Sequence, residues 1–359
     1  MAADLGSNKI MRERVLVAMS GGVDSSVAAW LLKEDGYQVS GVTMCLGSIA
    51  NTGTCCGQVG ASDARKTCDV LGISHHVLDF SALMQKEVID DFLEQYKRGR
   101  TPNPCVRCNQ YLKFGKLLGY ARAMGFDYLA TGHYAKIICL ENTCQLQKAR
   151  DKKKDQTYFL YPINKDDLRF ILFPLAEYLK EDVRRLAAGA GLPTADRPES
   201  QDVCFIPKGG CRDFLAAKLD MPAGDIIDRQ GNVLGSHSGL AKYTIGQREG
   251  LGVSAAHPLY VTQIDVKNNR IVVGQRQDLS AKALIAGSVN MLLDDLPSKA
   301  AAKIRYAHQE AQCLLEPVSH TRLKVVFEQP QEAVTCGQSV VFYSGDTVIG
   351  GGIIEDVLQ

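Results

Sequence analysis

No apolar stretch in this 359-residue sequence approaches the roughly 18 residues that a membrane-spanning helix needs; residues 27–32, Val-Ala-Ala-Trp-Leu-Leu, are among the longest. The residues up to Arg14 mix charge with polarity and hold no hydrophobic region of a secretory signal. A cytoplasmic protein with no membrane partner is therefore expected. Net charge is almost absent as well, at +1, so the chain exerts no global pull on nucleic acid and only local patches can bind it. Internal repeats and low-complexity linkers are lacking, which leaves domain boundaries soft. A chain of 359 residues nevertheless exceeds one ordinary core, and two or three domains are the natural expectation.

Cysteine, by contrast, is plentiful, with twelve residues. The cytosol keeps thiols reduced, so a disulfide framework is not expected and metal or redox chemistry gains weight. Cys45, Cys68, Cys139, Cys144 and Cys313 lie among apolar neighbours and read as inert core or surface thiols. Positive charge concentrates in Lys148, Arg150, Lys152, Lys153 and Lys154. Such a run is either a solvated loop or an RNA contact.

Hydrophobic periodicity divides the chain in two. Up to about residue 206, short apolar runs (15–19, 38–44, 75–80, 128–131) alternate with helical patterns (25–34, 62–71, 83–96, 112–124), several closed by glycine. Alternation of this kind predicts a doubly wound parallel α/β sheet. Beyond residue 207 turn residues multiply, 260–266 and 270–274 read as a hairpin, and β-branched strands from 283 onward suggest a small β-barrel.

Ser20-Gly-Gly-Val-Asp-Ser-Ser26 directly follows the first strand and opens the first helix. Gly21 and Gly22 let backbone N–H groups turn inward, and the helix N-terminus adds its positive dipole, which together make an anion cradle. The Ser20 and Ser25 hydroxyls are placed to reach phosphate oxygens and Asp24 to hold Mg²⁺ or a water. A bare capped helix would not need two serines and an aspartate around two glycines. No lysine follows the glycines as in a Walker loop; the motif instead resembles the PP-loop of ATP pyrophosphatases, which cleave ATP between its α and β phosphates.

Thr101-Pro-Asn-Pro-Cys-Val-Arg-Cys-Asn109 reads as a stiff exposed loop, because its two prolines oppose regular structure. Arg107 and the following helix N-terminus are expected to lower a thiol pKa at Cys105 or Cys108 and so make a nucleophile. Half of a zinc site is the other reading of this C-x-x-C pair. Cys204 lies in a second loop, Arg197-Pro-Glu-Ser-Gln-Asp-Val-Cys-Phe-Ile-Pro207. His133, after Thr-Gly at a strand's carboxyl end, sits where open α/β sheets bind ligands, whereas His75 and His76 read as structural.

These segments, together with Ala-Thr-Gly-His-Tyr-Ala135, Asp-Gln-Thr-Tyr-Phe-Leu160, Thr-Ile-Gly-Gln-Arg-Glu-Gly-Leu-Gly252 and the glycine run 350–352, resemble the tRNA-specific 2-thiouridylases in order and spacing from about residue 12 to the end. The resemblance implies a PP-loop domain over 1–206, a central tRNA-contacting domain over 207–280 and a C-terminal β-barrel domain over 281–359. It implies that Ala18, Met19, Ser20, Gly21, Gly22, Val23, Asp24, Ser25, Met44 and Gly132 bind ATP with Mg²⁺. It further implies that Cys204 receives sulfur as a persulfide from a donor protein, such as a cysteine desulfurase or a sulfur relay protein. Cys108 is then the partner thiol that releases the sulfur and ends in a Cys108–Cys204 disulfide. His133, Lys154, Asp155, Gln156, Arg305, Tyr306 and Gln338 are implied to contact the anticodon arm of tRNA, whose wobble uridine is the target.

Two positions depart from the family pattern. Cys105 stands where many members carry Asp, so Cys105, Cys108 and Cys204 form a three-thiolate set, the pattern of sulfur-transfer relatives that hold a four-iron four-sulfur cluster. Cys336 replaces the usual Pro and reads as a neutral barrel change away from the chemistry. Amide-forming PP-loop synthetases are one rival, but no N-terminal cysteine glutaminase is present and the cysteine loops stay unexplained. A non-catalytic RNA-binding module is another, and an intact PP-loop argues against it.

Overall fold

Four strands, β1 (Arg14–Ala18), β2 (Gln38–Cys45), β3 (Ser74–Asp79) and β4 (Tyr128–Thr131), line up parallel in the order β3-β2-β1-β4, with the short strand Ile171–Leu172 outside β4. β1 reads Arg-Val-Leu-Val-Ala, and Val15, Leu16 and Val17 are fully buried, as a strand covered on both faces requires. Burying each such side chain is worth roughly 2 kcal/mol. The helix Val23–Glu34 follows β1 and packs Val27, Ala28 and Ala29 inward, and Gly36 ends it with φ +89°. The computed structural model describes residues 12–47, 58–141, 143–198, 203–207 and 210–358. The adjacent cysteines Cys55 and Cys56 lie outside them.

The Pro-rich cysteine segment departs from expectation. It is the start of a helix rather than a loop. Asn103 accepts the Cys105 N–H at 3.2 Å as N-cap, and Pro104 occupies the first turn, where its missing N–H costs nothing. Helical structure then runs through Cys108–Leu117, in π-type turns, to Leu118–Ala123.

A four-stranded mixed sheet follows the helix Cys211–Lys218, and Tyr260–Asp265 pairs antiparallel with Arg270–Gly274 as the hairpin pattern predicts. The C-terminal strands form a six-stranded antiparallel barrel, closed where Ser280–Met291 pairs with Thr347–Leu358. Periodicity did not reveal that the hairpin Ala135–Leu140/Thr143–Lys148, from the first half of the chain, joins this barrel sheet through Gln147 and Thr347. Cys139 and Cys144 face each other across that hairpin and are disulfide-bonded, with Cα atoms 4.0 Å apart. The expectation of inert thiols fails for this pair because strand register sets them directly opposite. It holds for Cys68 and Cys313, whose thiols burial pushes up to about 11 and about 12. Among the described residues, no helix is long and apolar enough to cross a membrane.

Candidate active site

Strand order reverses between β1 and β4, the switch point where open α/β sheets bind ligands beyond the strands' carboxyl ends. The serine–glycine loop sits there. Ser20 and Ser25 hydroxyls are 3.2 Å apart, Ser20 Oγ accepts the Gly22 N–H at 3.3 Å, and Ser25 and Ser26 hydroxyls donate to Gly22 O at 3.1 and 3.0 Å. The loop is thus shaped by its own side chains before any ligand arrives. Met44 and Gly132 end the neighbouring strands. A Cβ at Gly132 would lie 2.7 Å from the Asp24 and Ser25 backbone, so only glycine allows that approach.

Three residues that sequence reasoning missed hold this loop. Arg197 Nη1 donates to Gly21 O at 2.7 Å and pairs with Asp63. Lys180 bonds both carboxylate oxygens of Asp24, and Tyr134 donates to one of them at 2.9 Å. Asp24, expected to hold Mg²⁺ or a water, carries these three hydrogen bonds on its carboxylate. Lys180 and Arg197 lie far along the chain from the loop, so no local pattern could mark them.

The two cysteine segments share one platform. Arg107 pairs with Asp91 at 3.2 Å, and Phe205, beside Cys204, packs edge-on to Phe92 at 5.3 Å between ring centroids. Asp91 and Phe92 are adjacent on the helix Asp90–Lys97. Phe214 completes the aromatic cluster, 5.5 Å from Phe205. Cys204 and Cys105 are exposed and Cys108 is half-buried. Burial pushes the Cys108 thiol up, with Lys113 partly opposing it, and Cys105 shifts the same way. The expected lowering by Arg107 fails because that guanidinium is spent on Asp91 and on Gln110 at 3.2 Å. Lys113 is the cation that both thiols feel.

Lys113 Nζ also lies 3.3 Å from His133 Nε2, and His133 Nδ1 is 2.7 Å from Thr131 Oγ1. Burial, then Lys113, hold the imidazole well below its ordinary pKa. His133 is therefore neutral; with an ammonium donating to Nε2, the proton belongs on Nδ1. Replacing Lys113 with Met removes an attraction that favours the Cys108 thiolate. A Cys108-dependent rate is then expected to fall about tenfold at pH 8 and to recover as pH rises. An unchanged pH profile would show that Lys113 does not act on the thiol.

Among the described residues no three Cys, His, Asp or Glu side chains gather in a metal-holding arrangement. Apart from His133, the expected RNA contacts fall into three groups. Arg305 and exposed Tyr306 lie beside Lys303, with the Tyr306 ring tilted by 39° against Phe159 at 4.6 Å between centroids. Lys154 and Gln156 are half-buried on the 151–156 segment, where Asp155 is buried and bonded to the Ala149 N–H and Thr157 hydroxyl at 3.1 and 2.6 Å. Asp155 therefore shapes the loop. Gln338 Nε2 donates to Thr101 O at 2.8 Å, and Thr101 N–H to Cys336 O at 2.9 Å. The barrel loop that carries Cys336 thus braces the segment leading into Cys105 and Cys108.

Residues 13–208 match the family described as tRNA methyl transferase HUP domain, 212–275 its PRC-barrel domain and 281–354 an aminomethyltransferase β-barrel domain. The chain is 53% identical over 98% of its length, and 95% of the relative's, to tRNA-specific 2-thiouridylase MnmA 1 of Syntrophus aciditrophicus. It is 47% identical to tRNA-specific 2-thiouridylase MnmA of Carboxydothermus hydrogenoformans, covering 96% of this chain and 98% of that one. Among solved structures, U34-tRNA thiolase NcsA of Methanococcus maripaludis with its [4Fe-4S] cluster gives a TM-score of 0.35 at 20% identity, over 57% of this chain and 64% of that one. That likeness is too slight to carry an argument.

Proposed function

This chain belongs to the tRNA-specific 2-thiouridylase family and is an ATP-dependent sulfurtransferase acting on tRNA; on that premise we propose that it replaces the C2 oxygen of the wobble uridine with sulfur by a cysteine relay. The observation that carries the reading is the anchoring of Cys108 and Cys204 through neighbouring residues of one helix, Asp91 and Phe92. ATP occupies the loop from Ala18 to Ser25, flanked by Met44 and Gly132. The uracil O2 attacks the α-phosphorus, pyrophosphate leaves, and a poor leaving group becomes AMP. Flipping the uridine out of its stack brings C2 to the site, near neutral His133.

Sulfur arrives as a persulfide on Cys204 from a persulfide-carrying donor protein. The Cys108 thiolate attacks Cys204 Sγ, a Cys108–Cys204 disulfide forms, and the terminal sulfur departs as hydrosulfide with the bond's electron pair. Hydrosulfide then adds at C2 and expels AMP. The sulfane sulfur is reduced by two electrons and the cysteine pair is oxidised by two, so an external thiol must reopen the disulfide before the next turnover. Residues 1–206 carry this chemistry, while 207–280 and 281–359 clamp the anticodon arm together with Lys154, Gln156, Arg305, Tyr306 and Gln338.

Anaerobic purification with iron and acid-labile sulfide analysis tests the relay against its cluster variant. Essentially no iron, with activity from a persulfide donor, is the expected result. About four irons per chain with activity supported by free sulfide would replace the relay with delivery through Cys105, Cys108 and Cys204.

A further inference from the structure

Asp24 belongs to the nucleotide loop yet is fastened from outside it. Lys180 Nζ bonds its two oxygens at 2.6 and 2.7 Å, and the Tyr134 hydroxyl donates to Oδ1 at 2.9 Å. Both anchors lead to one segment. The Lys180 N–H donates to Asp151 Oδ2 at 3.0 Å, and Asp151 Oδ1 accepts the N–H groups of Lys153 and Lys154 at 3.1 and 3.2 Å. The Tyr134 N–H donates to Gln156 Oε1 at 3.0 Å, and the Gln156 N–H returns to Tyr134 O at 2.9 Å. Two separate paths of hydrogen bonds therefore join the nucleotide loop to residues 151–156.

The chemistry of these links is not incidental. Lys180 is only 9% exposed, although lysine ordinarily keeps its ammonium in water. A buried ammonium bonded to both oxygens of one carboxylate holds that carboxylate firmly, since separating the pair leaves a charge without compensation. Moving the backbone at 151 or 156 pulls on Lys180 or Tyr134, and each pulls on Asp24. The exposed cations Lys152 and Lys153 stand on the same segment, where an RNA phosphate would meet them.

We propose that Lys180 and Tyr134 are positioning residues that couple the two substrates, so that RNA contact at residues 151–156 sets the position of Asp24 and with it the loop's affinity for ATP. The inference rests on the reading that the loop binds ATP and the segment meets tRNA. Coupling of this kind is reciprocal: tRNA changes the ATP affinity by the same factor as ATP changes the tRNA affinity.

The test measures four dissociation constants on the full chain. An ATP analogue with a methylene between the α and β phosphorus atoms is titrated with and without an unmodified tRNA transcript carrying a wobble uridine, and the transcript with and without the analogue. A wild-type factor of about fivefold or more, equal in both directions, is expected. Tyr134→Phe, which deletes one hydroxyl, and Lys180→Met should bring that factor toward one, while tRNA affinity without nucleotide stays within about twofold. A variant that is merely less stable would not change this ratio. If Lys180→Met fails to fold, Tyr134→Phe gives the same readout. A wild-type factor of one, or a factor that both folded variants keep, overturns the coupling. Wild-type protein that binds neither ligand would overturn the underlying functional reading, and the coupling with it.

Discussion

Cys204→Ser is expected to lower tRNA thiolation at least about a thousandfold while pyrophosphate release on tRNA continues. A serine hydroxyl cannot carry sulfane sulfur, so the relay loses its entry point, whereas the adenylation loop lies on other residues. The fold is expected to tolerate the change. Cys204 is exposed, and the buried weight of its loop rests on Phe205, which is 2% exposed among Phe92 and Phe214. Cys108→Ser should give an equal loss with a different trace. Sulfur enters at Cys204 and is not released, so a persulfide accumulates there and appears in the intact mass as one extra sulfur. Mass spectrometry of both variants after incubation with a persulfide donor checks the order of the steps. Retention of more than a few per cent of thiolation by Cys204→Ser, or a persulfide that builds up on Cys105 instead, would sink the assignment.

The sheet was legible because buried parallel strands read as short apolar runs between helical periods, and β1 to β4 lie within a residue or two of their expected places. The shape of the serine–glycine loop was legible because its glycines and serines fall within seven residues. What stayed hidden depends on contacts between distant segments. Pro102 and Pro104 looked like breakers, but Pro104 falls in the first turn behind Asn103, where proline favours a helix. Cys139 and Cys144 pair only because the hairpin register sets them opposite. Arg107 sits beside the thiols in sequence yet pairs with Asp91, and the cation they feel is Lys113. Lys180 serves Asp24 from a separate helix, Lys180–Gly189. Cys336 touches the segment that leads into Cys105 and Cys108 because the barrel closes against Thr101, a relation no local motif encodes.

Gly21→Ala is expected to raise the KM for ATP by at least about tenfold, equivalent to ~1.4 kcal/mol of lost binding. Gly21 has φ +74°, a conformation that costs an L-residue roughly 1–2 kcal/mol. The added Cβ would also lie 2.2 Å from Gly60 O, against backbone that cannot swing aside. Relief requires the loop to move, and movement turns the inward N–H groups away from the phosphates. Arg197 resists that movement, since its Nη1 holds Gly21 O at 2.7 Å and its pairing with Asp63 fixes the guanidinium. Strain and anchoring therefore act on the same peptide. Gly36→Ala separates the two effects: Gly36 has φ +89° with nothing within 4 Å of its Cβ position, at the far end of the helix that follows the loop. That control should lose stability and keep its KM. Steady-state pyrophosphate release across ATP concentrations, with thermal unfolding of both variants, decides the matter. A wild-type KM in folded Gly21→Ala would mean that ATP does not depend on this loop's backbone.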